Sequence, residues 1–216
     1  MIMKKQECSK LSPLFDNKGF TLIEMAIVLI IIGIIIGAIV KGKDIVKSAE
    51  QKKLYTKFVN AWSLTFNNYY DRTGWILSDT DDPANAGARD GNCTPATVAN
   101  LNLQLTAVGL ELPPVGATNT TDRSYKDSNG VLHTLVLVFD YDSDVGNFIR
   151  ITGTGGIPND LGMALDRMVD GTMDGTIGDL LYTDNYNAIA PATIIQWPLA
   201  TAGLVATSAI IFKMQF

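Results

Sequence analysis

From Phe20 to Val40 the chain carries one ionisable side chain, Glu24, in 21 residues. As a helix rising 1.5 Å per residue this run makes a rod about 31 Å long, close to the hydrocarbon thickness of a bilayer. Whatever else the chain builds must be arranged around a segment that belongs in a membrane or among other apolar helices. Glu24 lies four residues inside the edge of that segment. A carboxylate at such a place costs roughly 2.5 to 3.5 kcal/mol on insertion scales. A plain anchor gains nothing from it, so a partner for the carboxylate is expected.

The flanks give the run a direction. Residues 1–19 are polar and lysine-rich, contain Pro13 and lack the apolar centre of a secretory signal peptide. Lysines ahead of the span and a longer chain after it predict a cytoplasmic leader and a translocated remainder. Lys41 and Lys43 at the far end can snorkel to the interface. Inside the span, Gly33 and Gly37 make a Gly-x-x-x-Gly spacing that puts both on one helical face, where another helix can approach closely. Simple tolerance of glycine in an apolar helix accounts for the pair equally well.

Lys18-Gly19 followed by Phe20-Thr21-Leu22-Ile23-Glu24 resembles the cleavage and methylation signature of type IV prepilins and the related pseudopilins. The resemblance covers Lys18 to Val40 closely and extends loosely to Tyr70. It implies cleavage after Gly19 by an inner-membrane prepilin peptidase and methylation of the new Phe20 amine. It further implies assembly with identical or related subunits into a helical filament by inner-membrane machinery, with Glu24 in the assembly contact. The subunit would wait in the inner membrane as a single-pass protein with its head outside the cytoplasm, then enter an extracellular pilus or a periplasmic pseudopilus. A type IV pilus subunit is the leading expectation. A pseudopilin of a type II secretion system and a membrane-tethered binding module are the alternatives. Adhesion and motility are roles within the first reading.

The expected organisation is a leader at 1–19, a long helix over 20–73 and a globular head over 74–216. The helix divides into a transmembrane or filament-core part at 20–40 and an amphipathic part at 41–73. The expected fold class is α+β and pilin-like, with the amphipathic half packed on an antiparallel sheet. Ile45, Ala49, Lys52, Tyr55, Phe58, Val59, Trp62, Phe66 and Tyr69 recur at spacings of three and four and mark the packing stripe. Asp71-Arg72-Thr73-Gly74 ends it, glycine being suited to a left-handed terminus.

Beyond Trp75 the chain reads as irregular to about Asn129, with Leu101-Leu103-Leu105 either a strand or part of a short helix over 96–105. Val131 to Tyr141 alternates with apolar residues on both faces, which predicts a central strand, and Phe148 to Thr152 reads as its hairpin partner. A helix is expected from Ile157-Pro158-Asn159-Asp160 to about Asp170. Further strands are expected at Leu180 to Thr183, Ile194 to Leu199 and Leu204 to Phe216. The apolar run Ala209 to Phe212 should pair inside the sheet, because an open edge of that composition aggregates.

Composition limits the chemistry. Loss of residues 1–19 removes four lysines and two acids and leaves 13 basic against 20 acidic side chains, so nucleic acid is not the expected partner. Cys8 goes with the leader, leaving Cys93 unable to form an internal disulfide. Many type IV pilins close a C-terminal loop with a disulfide, and this chain departs from that pattern; its C-terminal region needs strand pairing, packing or a metal instead. Asp170, Asp174 and Asp179, with Asp166 one turn back, could converge on calcium, although the spacing is not that of an EF-hand and solvated aspartates in glycine turns explain it as well. No cofactor is required. His133, the single histidine, has no cysteine or second histidine to complete a zinc set. No phosphate loop, catalytic Ser-His pair or strong acid pair outside the Asp-rich loop is present, and the chain is not expected to be an enzyme.

Overall fold

The structure is a computed structural model of the 216-residue chain, and it describes residues 19–79, 89–113, 121–185, 193–198 and 208–214. The fold is α+β. The elements are helix α1 (Leu22–Leu54), a π-helical turn (Tyr55–Val59), α2 (Asn60–Thr73), α3 (Val98–Ala107), β1 (Asp122–Lys126), β2 (Leu132–Asp142), β3 (Gly146–Gly153), α4 (Asn159–Val169), β4 (Leu180–Thr183) and β5 (Ala209–Lys213). By internal contacts the chain separates into two units, Met1–Ile45 and Val46–Phe216.

In the first unit every side chain of α1 from Leu22 to Val40 is exposed. Among the described residues this is the one helix long and apolar enough to cross a membrane. Thr21 starts it: the Glu24 carboxylate accepts hydrogen bonds from the Thr21 amide and hydroxyl, both at 2.8 Å, while the Glu24 amide donates back to Thr21 Oγ1 at 3.3 Å. This reciprocal capping satisfies donors that a helix start otherwise leaves open.

The second unit is built on a five-stranded antiparallel sheet in the order β1-β2-β3-β5-β4. Gln51, Leu54, Phe58, Val59, Trp62, Phe66 and Tyr69 are the buried face of the helix. The stripe differs from the expected one at its start, where Gln51 and Leu54 are buried and Lys52 is exposed. Phe58 and Val59 are adjacent yet both fully buried, which the wider π turn permits. Trp62 meets Phe139 edge-on at 5.6 Å and Phe66 stacks on the same ring at 5.5 Å, so two turns of helix converge on one strand residue. Gly74 closes α2 at φ 70°, its amide donating to Tyr70 O.

Of the two readings of Leu101-Leu103-Leu105 the helix is the one observed, Val98–Ala107 capped by Thr97. Three expectations need correcting. The stretch to Asn129 is not irregular throughout: Asp122–Lys126 is an edge strand in which Tyr125 is the buried residue. The second face of β2 is not core. Leu132 is exposed and Val136 and Val138 are half-buried, because the apolar cluster on that side of the sheet is small and centred on Phe148, Leu181 and Ile211. The strands buried on both faces are β4, all four of whose residues are buried, and β5, whose Ala209, Ile210 and Ile211 are fully inaccessible between β3 and β4. Finally, the residues at 194–198 form no strand. Ile194 makes a single bridge to Thr183, and the Ile195 amide donates to Tyr182 O, so the segment covers the outer edge of β4. Of the expected strand at 204–216, residues 209–213 are observed; 204–207, 215 and 216 lie outside the described residues, as does the leader through Lys18.

Candidate functional site

The N-terminal determinants sit together on an accessible segment. Gly19 and Phe20 precede the helix and are exposed, Phe20 at 84%. A side chain added at Gly19 would meet nothing within 4 Å, so the fold itself does not require glycine there. Glu24 stands one turn into α1, engaged by Thr21 as described. Gly33 and Gly37 lie along the exposed helix with open space at the place of a Cβ. Among the described residues the segment thus combines an exposed peptide bond, an exposed apolar helix and one capped acid near its start.

A model of the prokaryotic N-terminal methylation motif matches residues 14–40. The chain carries a type IV prepilin-like signature. No curated protein and no solved structure matches the chain. The prepilin-like motif ends at residue 40, and what the head does must be read from the head's own groups.

The C-terminal part of this prepilin-like chain is held by a polar lock. Asp166 on α4 is fully buried, and its Oδ2 accepts from the Trp197 indole Nε1 at 2.6 Å and from the Gly175 amide at 3.2 Å. Burial raises its pKa above the ordinary aspartate value, and the nearby charge of Asp170 adds to the shift. The Trp197 ring lies against Gly162, where a Cβ would sit 2.1 Å from Cζ3, and it packs on Tyr182 at 4.6 Å between centroids. These contacts fasten 193–198 to α4 and β4.

Two of the three aspartates singled out as calcium ligands, Asp170 and Asp174, have their carboxylates engaged locally. Asp170 accepts from the Asp179 and Leu180 amides at 3.0 and 2.9 Å. Asp174 Oδ1 accepts from the Thr176 hydroxyl and from Gln196 Nε2 at 2.7 Å, and the Thr176 hydroxyl bond is the main reason its carboxyl titrates below the ordinary range. Among the described residues no group of three or more His, Cys, Asp or Glu side chains is placed to hold a metal ion.

Two further groups have structural partners. His133 is buried on the core face of β2, with Nε2 3.2 Å from Asp127 Oδ2. Cys93 is buried, its thiol 3.5 Å from Leu77 O, and burial, with the charges of Asp79 and Asp140, pushes the thiol far above its ordinary pKa. The thiolate is the reactive form. With Cys8 replaced by Ser, the folded chain should therefore take up no iodoacetamide at neutral pH over a period that alkylates the denatured chain completely; rapid labelling of that native chain would contradict the burial of Cys93.

Sequence reasoning passed over Thr21, although Thr-x-x-Glu ahead of an apolar run is a capping signal. It also missed a clasp around Asp160. Asp160 Oδ2 takes Lys47 Nζ, the Tyr125 hydroxyl and the Ser128 hydroxyl, while Gln51 Nε2 donates to Asp160 O and to the Tyr125 hydroxyl. Those residues come from three separate stretches, and nothing in the sequence pairs one stretch with another.

Proposed function

We propose that the chain is a structural, non-catalytic subunit of a type IV pilus filament. It is cut after Gly19 by a prepilin peptidase, methylated on Phe20 and assembled from the inner membrane through its apolar helix. The observation that supports this reading is the conjunction, within residues 14–40, of the methylation motif and a helix whose apolar surface is exposed among the described residues. Such a surface of about 20 residues belongs in lipid before assembly and against other copies of the helix afterwards. Gly33 and Gly37 supply places for close helix approach, and Glu24 pairs with the amine that cleavage creates.

Gly19→Val tests the processing step. A branched side chain beside the scissile bond obstructs the extended approach of the backbone to a peptidase, while the empty surroundings of Gly19 mean that the head folds as before. The variant should accumulate in the inner membrane at its precursor mass, without surface fibres. Normal leader removal would overturn the assignment. Electron microscopy of sheared wild-type fibres separates the related machines: long surface fibres composed mainly of this chain support a pilus, and short periplasmic ones a secretion pseudopilus.

A further inference from the structure

The second unit is charged by position along its helix. Gln51 bonds to Tyr125, which pairs with His133 at the start of β2, whereas Trp62 and Phe66 reach Phe139 near its end. The helix and β2 therefore run in the same direction, and the β2–β3 turn lies at the Phe66 end. That turn exposes Asp144 and half-exposes Asp142; among the described residues no cation pairs with either, while their neighbour Asp140 holds Arg150 at 3.0 Å.

The Gln51 end is the reverse. Lys52, Lys53 and Lys57 are exposed there, and among the described residues no acid pairs with them. Asp160 and Asp127 at the same end are already engaged by Lys47 and His133, which leaves Glu50 as an exposed acid against those lysines. The imbalance is large in the sequence too. Residues 41–57 carry six lysines and two acids, and residues 58–216 carry 7 basic against 17 acidic side chains. Two heads brought together at random repel, and the lysines near Gln51 are the patch of opposite sign.

We propose that the lysine face beside Gln51 docks on the Asp142–Asp144 turn of a second copy of this chain. The proposal rests on the filament reading and gives that filament a head-to-tail contact. From the helix and strand rises, Lys53 and Asp144 of one chain are roughly 25 Å apart, so the two faces cannot meet within a molecule. Unlike faces at opposite ends make a heterologous contact, which repeats without closing. Anionic lipid is the competing occupant of the lysine face, and it has no use for the aspartates.

The experiment uses the full chain in a strain lacking the native gene. Lys53→Cys with Asp144→Cys in one chain should give, on mild oxidation of assembled fibres, a ladder of disulfide-linked multimers, since a disulfide cannot bridge the distance within a subunit. Raised salt during assembly should weaken the ladder, the charges being exposed. Lys52→Glu with Lys53→Glu should lower sheared fibre yield roughly tenfold with processed subunit in the membrane unchanged, as should Asp142→Lys with Asp144→Lys. The four substitutions together should restore most of the yield. Normal fibres without a ladder, or no rescue by the fourfold variant, overturns the docking and leaves the filament standing. Loss of yield from the lysine changes alone, accompanied by lost binding to phosphatidylglycerol vesicles, assigns that face to lipid and overturns it as well. An unmodified chain that forms no fibres, together with a double-cysteine chain that gives no ladder, sinks both readings.

Discussion

Gly162→Ala is expected to destabilise the head by about 3 kcal/mol, although alanine is the better helix former. The added methyl would sit 2.1 Å from Trp197 Cζ3 and 2.3 Å from Cη2, far inside contact distance, and the rigid indole can yield only as a whole. Moving it breaks the 2.6 Å bond to Asp166 and the packing on Tyr182. The full-length protein in detergent should lose about 6 to 12 °C of melting temperature. Trp197→Ala removes the obstacle. In that background Gly162→Ala should change sign and stabilise by up to about 1 kcal/mol, as helix propensity alone dictates. Equal effects of Gly162→Ala in the two backgrounds would refute the contact.

The same lock carries a pH dependence. Because burial raises the folded-state pKa of Asp166 above its unfolded value, its contribution to stability is fully present below the unfolded pKa and is lost as pH rises through the folded one. Asp166→Asn keeps an oxygen for the Trp197 N–H and cannot ionise, so that part of the pH dependence should vanish from its unfolding curve.

What could be read from the sequence follows from range. The membrane-length run, the terminal Gly74 and helix α4 are local patterns, set by hydrophobic period and end chemistry over a dozen residues. β5 was legible because Ala209 to Phe212 is too apolar to stand at an edge. β1 was not, since Asp-Arg-Ser-Tyr-Lys buries only Tyr125 and shows no alternation worth the name. The segment 194–198 misled for the opposite reason. Its apolar residues pack as single anchors, Trp197 against Gly162 above all, and a residue that fits one hole carries no period. At the N-terminus every determinant from Gly19 to Gly37 is contiguous, so motif and geometry coincide; the Asp160 clasp and the Asp166 lock join residues 31 to 113 positions apart, beyond any local pattern.

Glu24→Gln should leave leader cleavage and membrane level close to wild type and lower filament yield by about two orders of magnitude. Glutamine at this position can still close the capping box with Thr21, so the helix start survives the change. Loss of the charge also removes part of the cost of inserting the anchor. In the proposed filament, what disappears is the partner for a neighbouring subunit's N-terminal ammonium, which would exist only after cleavage and would be stranded among packed apolar helices. Stranding one member of a buried ion pair costs about 3 to 5 kcal/mol, which is a factor of a hundred or more at each contact. Apolar side chains tolerate sliding along a rod, whereas a point charge sets one axial position. Glu24→Ala loses the cap as well as the charge and should assemble no better than the glutamine variant. The measurement compares processed subunit in membranes with fibre sheared from the surface, in cells making only the variant. Wild-type fibre from the uncharged chain would remove the carboxylate from assembly and favour a head tethered by a passive anchor.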